Sequence, residues 1–411
     1  MVIISTLTRY KSSTYTKRDH ELTVPISFES HAILKSTAKY DKSHLHLETK
    51  GSQASEQPFI THFRRKEPTT RQSTSAASTT RIVAPVAPNT RNFFADTGTP
   101  RIPRILVVAY FRSGSTYLGD VLSQDPATFY HYEPLSVLHN DHTKPAHITP
   151  LCYKTVENIF LCDFEHAPEY LKEGKSFVFP FERNVALWSR CNGDIDACFS
   201  PEFIASICNT STMQVMKVTR LRLRHVLQLI KHNDDLYQSI KVIHLVRDPR
   251  GIWASRLREK WCTYEMGCKD IQTLCQEMRD DINMFLELRG ILHDRLIRVY
   301  YEDIALSPEA GIKNLLSRLE LNYTTHVSKF LRTHTLASDS ELGNSFSTKR
   351  NSRKTVFRWT HWLSYNEVVK LQEACPDVFQ SLRYPVALSE VSLRTEVEKV
   401  FIKRRKYDYI T

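Results

Sequence analysis

The sequence predicts an α/β domain, a parallel sheet flanked by helices, behind a long polar N-terminal segment. Three observations lead there. Beyond residue 100, short apolar runs alternate with stretches of helical periodicity. The first run, Ile105 to Tyr110, lacks polar alternation, the mark of a strand buried on both faces. Two runs end in loops that open directly into a helix, and in such folds ligands gather at the carboxyl ends of the strands.

Residues 1–100 are rich in Ser, Thr, Lys and Arg, and the stretch EPTTRQSTSAASTTRIVAPVAPNTR carries the bias of a disordered or O-glycosylated stem or linker. It ends where residues 101–104 introduce the first strand. After that strand, Leu118, Val121 and Leu122 recur at helical spacing. Further strands are predicted at FVFPF (177–181), QVMKVT (214–219), KVIHLV (241–246) and LIRVYYEDI (296–304), and helices at RLRHVLQLIKH and LCQEMRDDINMFLEL. The resulting organisation is a stem over 1–100, one catalytic domain over 101–390, and a basic C-terminal tail over 391–411.

At 411 residues, 41% hydrophobic and 25% charged, the chain can bury one large α/β core or two smaller ones. A net charge of +11 and a pI near 9.1 suit a polyanionic partner: nucleic acid, membrane or acidic glycan. No RNP, zinc-finger or helix-turn-helix signature is present, so nucleic acid is not the expected partner. The nine cysteines include no CxxC pair, so no metal site is expected. Disulfides in a secretory compartment fit them better, and the sequons Asn209-Thr210-Ser211 and Asn322-Tyr323-Thr324 agree. An odd count leaves at least one thiol outside intramolecular bridges. MVIISTL is too short to span a bilayer, and no run of about 18 apolar residues occurs.

The loop RSGST, Arg112 to Thr116, places amides at a helix N-terminus beside a full positive charge, which suits an anion. The same residues suit a plain strand-to-helix turn, with Ser115 or Thr116 as cap and Gly114 for its backbone freedom. It is not a Walker A loop, because Asp120 follows Gly119 where a lysine is required. Nor is it a nucleophile elbow, because Ser113 and Tyr117 stand where glycines are needed around Ser115. The second loop, RDPRGIWAS, runs from Arg247 through Asp248 and Pro249 into a helix, with Ser255 able to face back toward Arg247. One guanidinium fork and one hydroxyl could hold a phosphate there; alternatively Arg247 pairs with Asp248 or Glu302 and Pro249 merely starts the helix.

Taken together, these loops resemble those of the PAPS-dependent sulfotransferases, in particular the Golgi carbohydrate 6-O-sulfotransferases acting on galactose, N-acetylgalactosamine or N-acetylglucosamine. RSGSTYL (112–118) is similar to the family's 5′-phosphosulfate loop and RDPRGIWAS (247–255) to its 3′-phosphate loop. The likeness extends to FYHYEPL (129–135), YYEDI (300–304), TKRNSRKTVFRWTHWLSY and LQEACPDVFQSLRY, in the family's order.

The resemblance implies a P-loop-like sheet of the sulfotransferase type, with 3′-phosphoadenosine 5′-phosphosulfate (PAPS) as donor and a glycan or glycosaminoglycan of the keratan or chondroitin type as acceptor. It implies donor contacts from Arg112, Ser113, Gly114, Ser115, Thr116, Tyr117 and Leu118, from Arg247, Asp248, Pro249, Arg250, Gly251 and Ser255, and from Lys349 and Arg350. Arg112 stands where many sulfotransferases place a lysine and would neutralise the leaving phosphate. Glu133 is the implied base, with His131 as rival if the segment is extended. Glu302 and Asp303 would orient the basic loops. Sulfuryl transfer needs positioning and charge neutralisation but no metal, because the group carries less charge than a phosphoryl. A type II Golgi anchor and membrane association are implied by the family though no such segment is visible in this sequence, and the expectation is an enzyme of the Golgi lumen or Golgi membrane, or a secreted form. Residues 182–212 depart from the family pattern, so neither cysteine pairing nor acceptor specificity carries over. A catalytically silent glycan-binding relative and a nucleotide kinase are the alternatives.

Overall fold

Successive side chains of β3 (Arg104–Val108) enter two different cores, because its neighbours lie in one sheet covered on both faces. Ile105 and Val107 pack with Val215, Ile243, Leu274 and Met278, whereas Leu106 and Val108 pack with Met216, Val218, Ile159 and Leu288. The structure, a computed structural model, describes residues 13–17, 20–24, 102–136, 150–264, 267–336 and 347–408.

Within the unit Met1–Arg91, strands β1 (Ser13–Lys17) and β2 (His20–Val24) pair antiparallel. The rest of the predicted stem lies outside the described residues. The unit Asn92–Thr411 is built on β3, β4 (Thr128–Tyr132), β5 (Met213–Val218), β6 (Ile240–Val246) and β7 (Leu296–Tyr300), in the order β4-β5-β3-β6-β7 with every pairing parallel. The chain leaves β3 toward one edge and later returns to its other side. That reversal opens a crevice at the carboxyl end of β3, where the first sequence loop sits.

The expected helices occupy Leu223–Lys231 and Ile271–Leu292. The second buries Leu274, Cys275, Met278, Phe285, Leu288 and Leu292 along one face at helical spacing. Three expectations need correction. FVFPF is not a strand: Phe179–Glu182 is a helical turn with Pro180 in its first positions, since proline cannot donate to a ladder and suits a helix start. LIRVYYEDI divides, with β7 ending at Tyr300 and a helix, Tyr301–Leu306, carrying the rest. The described part of residues 391–411, read by charge as a tail, lies in the helices Glu390–Thr395 and Val397–Asp408, with Leu393, Val397 and Phe401 buried.

Four disulfides join Cys162 to Cys208, Cys191 to Cys198, Cys262 to Cys268, and Cys275 to Cys375; Cys152, the ninth cysteine, is buried. Asn209 and Asn322 of the two sequons are exposed.

Candidate active site

All five strands deliver their carboxyl ends to one side of the sheet, and the chemistry collects there. After β3 the chain makes a tight turn. The amide and Oγ of Ser113 both donate to the Tyr110 carbonyl, at 3.1 and 2.8 Å, and Ser113 is fully buried. Its hydroxyl therefore closes the turn instead of facing a ligand, contrary to its predicted role as a donor contact. Arg112 (φ 69°) and Gly114 (φ 93°) adopt left-handed conformations. At Gly114 a side chain is also excluded by space, because a Cβ would come within 2.7 Å of Tyr301 Cε2. Gly114 is the N-cap of the helix Ser115–Leu122, and no side chain caps it. Neither Ser115 nor Thr116 takes the capping role the plain-turn reading required, so the first-turn amides keep the anion-binding character of an open helix N-terminus. Thr116 Oγ1 lies 3.3 Å from Tyr132 Oη. Leu118 is fully buried and Tyr117 packs against Phe330, so both side chains belong to the core and not to a ligand surface.

The loop after β6 divides its predicted residues between support and recognition. Asp248 caps the helix Pro249–Leu257 through the Arg250 amide and grips the Arg250 guanidinium at 2.9 and 2.7 Å. Arg250 is fully buried, donates to Gln372 and to the Pro385 carbonyl, and lies over Trp359. It braces the C-terminal segment and is not available as a phosphate ligand. Arg247 is placed differently. Its guanidinium covers the Tyr301 ring at 4.3 Å, its Nη1 donates to the Arg112 carbonyl at 2.9 Å, and its Nε is buried with no hydrogen-bond partner. A desolvated donor of this kind costs roughly 1–3 kcal/mol, a cost an anionic ligand would offset. Gly251 provides the room: a Cβ there would press on Arg247 Nε at 3.0 Å.

Arg112 ties the two loops together. Its Nε donates to Ser255 Oγ at 3.0 Å and its Nη2 lies 2.9 Å from Glu259 Oε1. Burial pulls the Arg112 pKa down, Glu259 pushes it up, and Arg247 and Arg350 pull it down again. Arg350, whose amide donates to the His334 carbonyl at 3.0 Å, thus adds its charge to the same field, with Lys349 beside it. Beneath the loops Glu302 accepts from the Asp248 amide at 2.9 Å and from Tyr384 Oη at 3.0 Å, which is the orienting role predicted for it. Burial, with help from Asp248 nearby, pushes its pKa up to about 7 against the Asp248 amide hydrogen bond.

Glu133 follows β4 in a left-handed conformation (φ 47°), and its carboxylate is fully engaged. It accepts from Lys217 Nζ at 2.8 Å, from the Thr219 amide at 3.2 Å and from Thr219 Oγ1 at 2.5 Å, with Arg220 Nη1 at 3.7 Å. Burial pushes its pKa up, but Lys217 and Arg220 more than offset that and hold it below the ordinary carboxylate value. The left-handed residue breaks strand alternation, so Glu133 and His131 do not share a surface. His131 is buried among Phe129, Phe160 and Phe164 and shares a hydrogen bond with Gln214; burial drives its pKa down to about 4. It is a core residue. Sequence reasoning missed Lys217, Thr219, Arg220, Glu259 and Tyr301. Lys217 did leave a signal, a lysine inside the apolar run of β5.

Residues 103–325 match the profile of the Sulfotransferase family. Carbohydrate sulfotransferase 1 of Homo sapiens is 26% identical over 338 residues, covering 72% of this chain and 82% of the relative. Carbohydrate sulfotransferase 3 of Mus musculus is 24% identical over 340 residues, covering 73% and 71%. The solved sulfotransferase domain of the Synechococcus PCC 7002 olefin synthase aligns with a TM-score of 0.42 at 17% identity, over 69% of this chain and 96% of that domain.

Proposed function

The chain belongs to the sulfotransferase family, and from that premise we propose that it transfers a sulfuryl group from PAPS to a sugar hydroxyl of a glycan or glycosaminoglycan, the 6-hydroxyl of galactose, N-acetylgalactosamine or N-acetylglucosamine. The observation that carries this reading is the direct joining of two anion loops through Arg112 and Ser255. A donor with a 5′-phosphosulfate and a separate 3′-phosphate needs two such loops at a fixed distance. The chain's similarity to carbohydrate sulfotransferases 1 and 3 supports a carbohydrate acceptor.

When bound, PAPS supplies the activated sulfuryl group. Arg112 would neutralise charge on the leaving phosphate, and the open first-turn amides from Ser115 onward would add donors without reorganisation. Arg247 and Ser255 would hold the 3′-phosphate, with Tyr301 beneath Arg247 and Arg350 and Lys349 closing the positive field. Glu133 would accept the acceptor hydroxyl's proton. Lys217 and Thr219 keep its carboxylate ionised and aimed, which makes Glu133 a weak base whose oxygen must give up part of one of these contacts to take the proton. We place the catalytic unit at residues 101–390 and the enzyme in the Golgi lumen or beyond it; four disulfides and two exposed sequons support an oxidising compartment. The test is transfer of labelled sulfate from PAPS to desulfated chondroitin, desulfated keratan and N-acetylglucosamine-terminated oligosaccharides. Sulfated product on at least one is expected; none on any overturns the reading.

A further inference from the structure

A ring of contacts runs between the two residues that sulfuryl transfer must bracket. Glu133 Oε2 lies 3.7 Å from Arg220 Nη1, and the Arg220 guanidinium sits 5.1 Å from the centre of the Phe111 ring. Phe111 meets Trp261 edge to face at 5.5 Å. Trp261 Nε1 donates to Glu259 Oε2 at 2.9 Å, and Glu259 Oε1 is 2.9 Å from Arg112 Nη2. The ring thus starts at the candidate base and ends at the cation assigned to the leaving phosphate. An acceptor hydroxyl has to reach the space these residues bracket, because in-line transfer needs attacking and leaving oxygens on opposite sides of the group transferred.

Phe111 and Trp261 are both half-buried, so each residue keeps part of its surface accessible. The other aromatic residues near the site are placed otherwise. Tyr132 and Tyr301 are buried, with Lys217 and Arg247 over their rings. Trp362 is exposed but carries Arg258 at 3.8 Å and makes no contact with Arg112 or Glu133 among the described interactions. The Phe111–Trp261 pair is also held firmly. Arg256 donates to the Phe111 carbonyl and to the Cys268 carbonyl, both at 3.2 Å, and the Cys262–Cys268 disulfide follows Trp261 directly. Its polar tip is satisfied by Glu259, which leaves an apolar face to offer.

We propose that Phe111 and Trp261 form the wall on which the acceptor sugar lies, and that Glu259 is a positioning residue holding this wall against Arg112. A hexose has one face of C–H bonds and a rim of hydroxyls, and a rigid aromatic surface with polar groups at its ends matches that pattern. Glu259, nearly buried, gives one oxygen to each partner, so the ring that orients the sugar and the guanidinium at the leaving group are set by one side chain. This inference rests on the sulfotransferase reading above.

The test uses the full chain, with desulfated chondroitin and keratan hexasaccharides as acceptors and the product nucleotide PAP as a probe of the donor site. Trp261→Ala should raise the acceptor KM at least about ten-fold, as expected for loss of a stacking anchor, with PAP affinity unchanged within about two-fold. Trp261→Phe keeps a ring but loses the Glu259 bond that holds it, so it should recover part of the acceptor KM while kcat stays lowered. Glu259→Gln turns an amide toward Arg112 and should lower kcat about ten-fold with a smaller change in acceptor KM. Unchanged acceptor KM in Trp261→Ala that still binds PAP would overturn the wall while leaving the sulfotransferase reading intact. Variants that lose PAP affinity and acceptor binding in parallel would overturn it too, since that is the behaviour of a purely structural loop. A wild-type protein that binds PAP and sulfates neither of these acceptors nor an N-acetylglucosamine-terminated oligosaccharide would overturn both proposals together.

Discussion

Gly114→Ala perturbs the donor site at one atom. The added Cβ would overlap Tyr301 Cδ2 and lie 2.7 Å from Cε2, at a residue whose φ is 93°. Holding alanine in a left-handed conformation costs roughly 1–2 kcal/mol, and forcing an extra carbon into a packed site about 1–3 kcal/mol more. The Tyr301 ring cannot swing away freely, because it is buried beneath the Arg247 guanidinium at 4.3 Å. Relief must come from moving the Arg112–Thr116 turn or from moving Tyr301 and Arg247 together. Either shift spoils one of the two anion loops, so PAP affinity should fall about ten-fold or more, equivalent to about 1.4 kcal/mol, with the remaining cost appearing as lower stability. Calorimetric titration of PAP and thermal unfolding of the same sample separate the two. Tyr301→Ala in the same chain removes the clash, so the pair should couple by more than about 0.5 kcal/mol in a double-mutant cycle. A Gly114→Ala protein that binds PAP within two-fold of wild type would refute this reasoning.

Arg247→Ala and Ser255→Ala should each weaken PAP by about 1–3 kcal/mol, the worth of a charge-assisted hydrogen bond, and leave an analogue lacking the 3′-phosphate nearly unaffected; equal weakening of both ligands would contradict the assignment. Glu302, with a native pKa near 7 against 4.5 when unfolded, binds more protons in the native state across that interval, so stability falls as pH rises through it. The loss is on the order of 3 kcal/mol, and Glu302→Gln should flatten the dependence of Tm on pH between 5 and 7; parallel curves would count against a buried Glu302. With nine cysteines and four bridges, denatured unreduced protein from its native compartment should titrate one thiol per chain, and eight or nine would contradict the pairing. Cys275→Ser opens a loop of 100 residues and should cost about 2–5 kcal/mol of stability, read as a fall in denaturation midpoint.

What was legible in the sequence was what local pattern encodes. The apolar runs of β3, β5 and β6 announced a parallel sheet, and Arg112 and Arg247 stood where their strands end. FVFPF misled because its apolar run resembles a strand until Pro180 is weighed as a helix starter. Ser113 and Arg250 could not be told from ligand-binding residues, because their hydrogen bonds to Tyr110 and to Pro385 depend on where the backbone turns. The ion pair of Glu133 with Lys217 joins residues 84 apart in the chain, and parallel register, not sequence proximity, makes it: Tyr132 lies opposite Lys217. Cysteine pairing was hidden for the same reason, since the partners of Cys275 and Cys375 meet only when two helices pack.

The most direct test of the account is single-turnover transfer of labelled sulfate at saturating PAPS, wild type against Glu133→Gln, on whichever panel acceptor the wild type sulfates. Glutamine keeps an acceptor oxygen for Lys217 Nζ but removes the carboxylate. The account predicts that PAP affinity holds while transfer slows on the order of 10² to 10⁴-fold, the usual worth of a general base. Near wild-type transfer by Glu133→Gln would remove Glu133 from the chemistry, and loss of PAP binding in step with transfer would make it a wall of the site instead of its base.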